Sequence, residues 1–274
     1  MLSRPPRQLL LALLGDCVLD APGLSVRAGV FIAALDATGI AEPATRVALD
    51  RMVRTGLLFR ERRGREINFS LTQDGIDLLN EASDRVRGPH AFHLHGAGWT
   101  LVTFSIPENR RALRHRLRAT LTWEGFAPIR DGLWLAPGEI DLSAPLRPLR
   151  EDLPEGAVVA FHAREVEGFP IAASVGQAWD IEGIRAAHRT FIDTWSDPAT
   201  VEEAGSALSA RTMLVADWLA LLRVDPGLPP GYMDEDWPAP ASVAVYRRLR
   251  SELAADADEE FGALNAGRAR VEVR

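Results

Sequence analysis

Between residues 6 and 55 the apolar positions recur at helical spacing; between 57 and 71 they alternate with polar ones. The first pattern predicts three helices. Pro6 to about Leu14 forms the first, and its run Leu9–Leu14 is too short to span a bilayer and lacks the flanks of a secretory signal, so a core helix is expected. Asp20-Ala-Pro-Gly23 reads as a loop, after which the Ser25 hydroxyl is placed to cap a second helix to about Thr38. Gly39 ends that helix with the backbone freedom of glycine. A third helix takes Pro43 in its first turn, where a missing N–H does no harm, and runs to Thr55 before Gly56. The tight turn between the second and third helices makes a helix-turn-helix pattern.

Period two follows. Leu57 and Phe59 alternate with Leu58 and Arg60, and Ile67, Phe69 and Leu71 alternate with Glu66, Asn68 and Ser70. A half-buried hairpin is expected, with Arg62-Arg-Gly-Arg65 as its turn, forming a wing behind the third helix. Thr72 starts a helix ending by Gly88-Pro89, so residues 1–88 read as a winged helix-turn-helix domain, and residues 88–98 as a linker. Trp99 to Ile106 then reads as a strand, Asn109 to Trp123 as an arginine-studded helix, and Ala127–Arg130 with Gly132–Ala136 as a hairpin around Asp131-Gly132. After a proline-rich stretch, Ala157 to Glu165 reads as a further strand. The order strand, helix, strand, strand, (helix), strand fits a ferredoxin-like domain over residues 99–170. From Trp179 the pattern is helical to about Asn265, broken at Asp225-Pro-Gly-Leu-Pro-Pro-Gly231 and Asp236-Trp-Pro238, which predicts an all-helical domain over 177–265. The expected class is α+β, in several domains.

Length supports that division, since 274 residues exceed the usual single-domain size. The single cysteine, Cys17, excludes an intrachain disulfide and fits a reducing compartment, so the cytoplasm is expected. A net charge of −7 argues at first against a nucleic-acid partner, but the charge is unevenly spread. Every basic residue is arginine, whose planar fork suits phosphates and guanine edges. From Glu42 to Arg65 seven arginines face three acids, whereas from Trp179 to Phe261 seven arginines face sixteen. A basic segment therefore precedes an acidic one.

Rotation by about 100° per residue along the third helix puts Thr45, Ala48, Leu49, Met52 and Val53 on one side. The opposite face carries Val47, Asp50 and Arg54, with Arg46 and Arg51 at its margins, the layout of a recognition helix. The arginines can reach phosphates or guanine edges, and Val47 a thymine methyl. Arg62, Arg63 and Arg65 crowd like charge onto one turn, which a nearby polyanion relieves. Double-stranded DNA is the expected partner; a winged helix that binds protein is the alternative. His90, His93 and His95 have no cysteine nearby and no recognised zinc spacing, so no metal site is expected. Without a phosphate loop, nucleophile elbow or catalytic triad, neither an enzyme nor a cofactor is expected.

The residues resemble the phenylacetic-acid degradation repressors, the PaaX family, from about Arg7 to Leu253. Ala44-Thr-Arg-Val-Ala-Leu-Asp-Arg-Met-Val-Arg54 with the wing carries part of the likeness. More telling are Phe104-Ser-Ile-Pro-Glu108, Gly132-Leu-Trp-Leu-Ala-Pro137, Ala178-Trp-Asp-Ile-Glu-Gly-Ile184, Ala210-Arg-Thr212, Asp225-Pro226 and Asp236-Trp-Pro238. The resemblance implies a homodimeric repressor on an inverted-repeat operator, released by an aryl-acetyl-CoA such as phenylacetyl-CoA. Asp217-Trp218-Leu219 and His188 depart from the family pattern and leave open a different acyl-CoA or aromatic metabolite. On that reading the effector site is expected in the cleft between the central and C-terminal domains, with Arg114, Arg118 and Arg211 on CoA phosphates and Trp134 and Trp218 on an aryl group. The central domain also resembles small CRISPR-associated nucleases, but Phe104-Ser105-Ile106 has no carboxylate where their first strand supplies one for metal.

Overall fold

The computed structural model describes residues 4–21, 23–87, 92 and 98–266. In chain order the elements are α1 (Pro6–Cys17), β1 (Val26–Arg27), α2 (Ala28–Asp36), α3 (Glu42–Arg54), β2 (Leu58–Arg63), β3 (Glu66–Leu71), α4 (Gln73–Arg87), β4 (Trp99–Phe104), α5 (Arg111–Trp123), β5 (Ala127–Arg130), β6 (Leu133–Pro137) and β7 (Val158–Ala163). Five helices of more than one turn follow α6 (Ala172–Ala178): α7 (Ile181–Ser196), α8 (Pro198–Glu203), α9 (Ala207–Val224), α10 (Ala239–Glu252) and α11 (Ala254–Ala266). Helices and two small sheets thus make a mixed α and β chain. It gathers into two compact units, one of Met1–Arg87, Arg189–Ala220 and Pro240–Arg274, the other of Gly88–His188 and Leu221–Ala239. Residues 177–265 therefore contribute to both. No helix among the described residues is long and apolar enough to cross a membrane.

In the first unit α1 packs against α2, α3 and α4. All six residues Leu9–Leu14 are buried. An amphipathic stripe would bury only one face; here the α9 segment takes up another, and the Gln8 amide donates to the Ala216 carbonyl at 2.6 Å. Gly39 and Gly56 close α2 and α3 with positive φ of 82° and 77°. Ile40 N–H returns to the Leu35 carbonyl and Leu57 N–H to that of Met52, so orphan carbonyls at both helix ends are satisfied. The sheet order is β1-β3-β2, antiparallel throughout.

Two local expectations are corrected here. Ser25 does not cap α2: Val26 and Arg27 run extended and pair with Phe69 and Asn68 of β3, and α2 begins at Ala28 with no side-chain cap bond. Val26 is fully buried and β-branched, so strand pairing outweighs an extra turn of helix. In the hairpin Leu58, opposite Leu71, faces the core, and Phe59 is 59% exposed. Because Leu57 N–H is spent closing α3, the strand starts one residue later and every side chain changes face.

The second unit holds a four-stranded antiparallel sheet of order β5-β6-β4-β7. Its first strand in sequence lies between the third and fourth, as in a ferredoxin-like sheet. Leu113, Leu117 and Leu121 of α5 bury against Val102, Trp134 and Ala136. The bracketed second helix is only a 3-10 turn, Arg147–Leu149. On the other face Trp99 and Leu135 pack with Val175 of α6 and Leu228. Phe92, in the stretch read as a linker, is buried with its ring edge-on to His188. His188 is itself buried and bonded to Asp225 at 2.8 Å.

Candidate nucleic-acid interface

α3 presents two chemically distinct faces. Thr45, Ala48, Leu49 and Met52 are buried, while Arg46, Asp50, Arg51 and Arg54 are exposed and Val47 is half exposed. Helical geometry produces this split, since residues three and four apart share a face.

The hairpin stands beside that outer face. Arg60 Nη1 donates to Asp50 at 2.9 Å, tying β2 to α3. Asp50, Val53, Arg54 and Arg60 line a groove of about 360 Å³. Arg60 was missed in the sequence, where only the turn arginines were singled out. Alternation along β2 is the signal that finds it, because Arg60 and Arg62 follow Leu58 on one face. Arg62 and Arg63 end the strand rather than form the turn, which is Gly64-Arg65, with Gly64 at φ 64°.

Several of these guanidinium groups are held by neighbouring carboxylates. Arg46 pairs with Glu42 at 2.6 Å and Arg63 with Glu61 at 2.8 Å, both on the surface. Such exposed pairs are worth about 0–1 kcal/mol, so a phosphate can displace them at little cost. Among the described residues Arg51, Arg54 and Arg65 make no ion pair.

The residues expected to hold an effector fall in both units. Arg114 and Arg118 lie on α5, where Arg114 pairs with Glu108 at 2.9 Å and Arg118 lies over the Trp134 ring. Arg211 and Trp218 belong to the other unit. Both tryptophans are core side chains rather than ligand surfaces: Trp134 is packed under α5, and Trp218 is 1% exposed and stacked on Tyr246 at 4.4 Å. An indole buries a large area, so inward-facing positions claim it for packing. Arg211 is held by Asp16 at 2.6 Å and Asp258 at 2.7 Å and donates to the Cys17 thiol at 3.2 Å. Burial works against its charge, but Asp16 more than compensates, and its pKa lies above that of a free guanidinium.

His90, His93 and His95 lie outside the described residues. Among the described residues no group of three His, Cys, Asp or Glu is placed to hold a metal ion.

Three family models match in succession: PaaX-like protein over residues 6–75, the PaaX protein central Cas2-like domain over 95–170, and the PaaX-like protein C-terminal domain over 179–263. The chain belongs to the PaaX family. A PaaX relative, the transcriptional repressor PaaX of Escherichia coli strain K12, is 23% identical over 258 residues, covering 88% of this chain and 79% of its own length. Among solved structures, the uncharacterized protein Rv0674 from Mycobacterium tuberculosis superposes with a TM-score of 0.60 at 25% identity, covering 94% of this chain and 99% of its own. The PaaX models run in the same order as the three segments read from the sequence. The Asp225 and Trp237 positions that carried the resemblance are structural: Asp225 accepts from Gly227 N–H and bonds His188, and Trp237 lies against Arg185 and His188.

Proposed function

We propose that this PaaX-family protein is a DNA-binding transcriptional repressor and not an enzyme. Residues 1–88 act as a winged helix-turn-helix, with α3 in a major groove and the β2–β3 hairpin on the adjoining backbone. The observation that carries the reading is the outer face of α3, where Arg51 and Arg54 stand exposed and unpaired beside an arginine-rich hairpin. A relative that is itself named a transcriptional repressor supports it. The overall acidity is no obstacle, because a polyanion responds to local potential. Two copies bind an inverted repeat, one recognition helix per half-site. An aryl-acetyl-CoA such as phenylacetyl-CoA releases the complex, its phosphates held by arginines, either Arg114 and Arg118 of α5 or Arg211 of α9.

Fluorescence anisotropy with labelled duplex DNA across a salt series tests the DNA reading. Affinity falls steeply as salt rises, because each phosphate contact releases counterions. A salt-independent affinity, or none at low salt, overturns it.

A further inference from the structure

Where α1 ends, its last turn meets three helices of the same compact unit around a cavity of about 620 Å³. Asp16 and Asp20 come from the α1 side, Arg211 from α9, Tyr246, Arg247, Arg250 and Ser251 from α10, and Ala254 and Asp258 from α11 or its first residue. Formal charge balances, three arginines against three aspartates, but hydrogen-bonding capacity does not. Each guanidinium brings five donors. Asp16 is already taken up by two of them: its Oδ1 accepts from Arg250 and its Oδ2 faces Arg211, each at 2.6 Å. Asp258 serves Arg211 as well. A cation entering the cavity would find these carboxylates occupied and meet guanidinium groups instead. Arg250 spends only Nη2 on Asp16, and its Nε is buried without a hydrogen-bond partner. One turn before it Arg247 is exposed, and the Ser251 hydroxyl adds a donor. The volume is that of a small-molecule site rather than of a single ion.

We propose that this cavity binds a phosphoryl-bearing small molecule, held by Arg247, Arg250 and Ser251 in competition with Asp16. Asp16 closes the end of α1, which packs against α3, so a ligand that draws Arg250 away loosens the clasp between α10 and the segment carrying the recognition helix. Occupancy is thereby linked to DNA affinity, since a ligand shifts an equilibrium by its differential affinity for the two states. This regulatory consequence rests on the proposed DNA-binding function; the site itself does not.

Cys17 supplies a reporter independent of DNA. It is the only cysteine in the chain and contacts Arg211 at the base of the cavity. Burial pushes its thiol up to about 11, with Arg211 opposing, so at neutral pH its alkylation is slow and sensitive to the opening of this corner. The test titrates inorganic pyrophosphate against the full chain at constant ionic strength, reading thermal stability, the Cys17 alkylation rate and duplex DNA affinity. Pyrophosphate is expected to raise the melting temperature, to change the alkylation rate saturably and to weaken DNA binding. Arg247→Ala, at an exposed position, is expected to weaken pyrophosphate binding about tenfold, the loss of one charge-assisted contact, and Arg250→Ala at least as much. Sodium chloride at matched ionic strength produces neither change. Equal effects from chloride, or pyrophosphate effects unaltered in Arg247→Ala and Arg250→Ala, overturn the site. Melting and alkylation shifts with unaltered DNA affinity uphold the site and overturn its link to DNA. A protein that responds to pyrophosphate but binds no DNA upholds the site and overturns the repressor reading.

Discussion

Arg46 and Arg54 share the outer face of α3 but differ in electrostatic state. Arg46 is engaged by Glu42 one turn before it, whereas Arg54 borders the groove with Arg60 and makes no ion pair among the described residues. Arg54 therefore reaches a base edge or phosphate without first losing a partner. Arg54→Ala is expected to cost about 1–3 kcal/mol of DNA affinity if it reads a guanine edge, and Glu42→Ala to change affinity little. Anisotropy on a single duplex checks both, and an Arg54→Ala protein that binds as tightly as the parent removes the residue from the interface. The two faces of α3 were legible in the sequence, because helical period alone decides which side chains point together. Arg4 was not legible. It reaches across more than two hundred residues to make two bonds to Asp217, which also accepts from Trp195, and no local pattern announces a partner so distant.

Elements are set by local chemistry until a neighbour competes for the same backbone. Helices α1 and α3 begin where proline sits at the first turn, and the glycines at 39 and 56 end helices where positive φ is needed. Thr72 caps α4 by accepting from Gly75 N–H at 3.0 Å. Gly75 has a second constraint: a Cβ there would collide with the Leu57 carbonyl oxygen, where α3 hands over to β2. Gly75→Ala is thus expected to push α4 off the hairpin and destabilise the protein by about 1–3 kcal/mol, as overpacking does. Gly29 of α2 has open space around its Cβ position, so Gly29→Ala is expected to be neutral or to stabilise by up to about 1 kcal/mol. Thermal melts of the two variants should move apart; equal shifts would show that the close approach at Leu57 is absent in solution.

At the scale of the whole molecule, segments distant in sequence share one unit. The backbone N–H groups of Ala207 and Leu208, at the start of α9, are satisfied by the Glu260 carboxylate of α11 at 3.1 and 2.9 Å. Ser209 bonds the Ala34 carbonyl of α2, so α9 touches the proposed DNA-binding segment directly. A ligand sensed by these helices has a short physical route to α3. Linkage makes the coupling reciprocal: an acyl-CoA that weakens DNA binding by some factor is itself bound more weakly, by the same factor, when DNA is present. Phenylacetyl-CoA is expected to dissociate the protein from its operator and the free acid to leave it bound. A titration of CoA thioesters against the complex decides this, and release by the free acid alone would point to a different effector.

The amino-acid sequence by itself determined the periods, the helix ends, the exposed face of α3 and the family likeness, because each depends on residues close along the chain or on an ordered set of motifs. Only the tertiary structure decided the face of the β2 side chains, the pairing of Val26 with β3, the burial of Trp134 and Trp218 and the meeting of Asp16 with Arg211 and Arg250. Register depends on which backbone N–H a helix end has already used, and burial on what arrives from elsewhere in the chain. An ion pair across nearly two hundred residues leaves no periodicity behind; it exists because folding brings the end of α1 against α9 and α10.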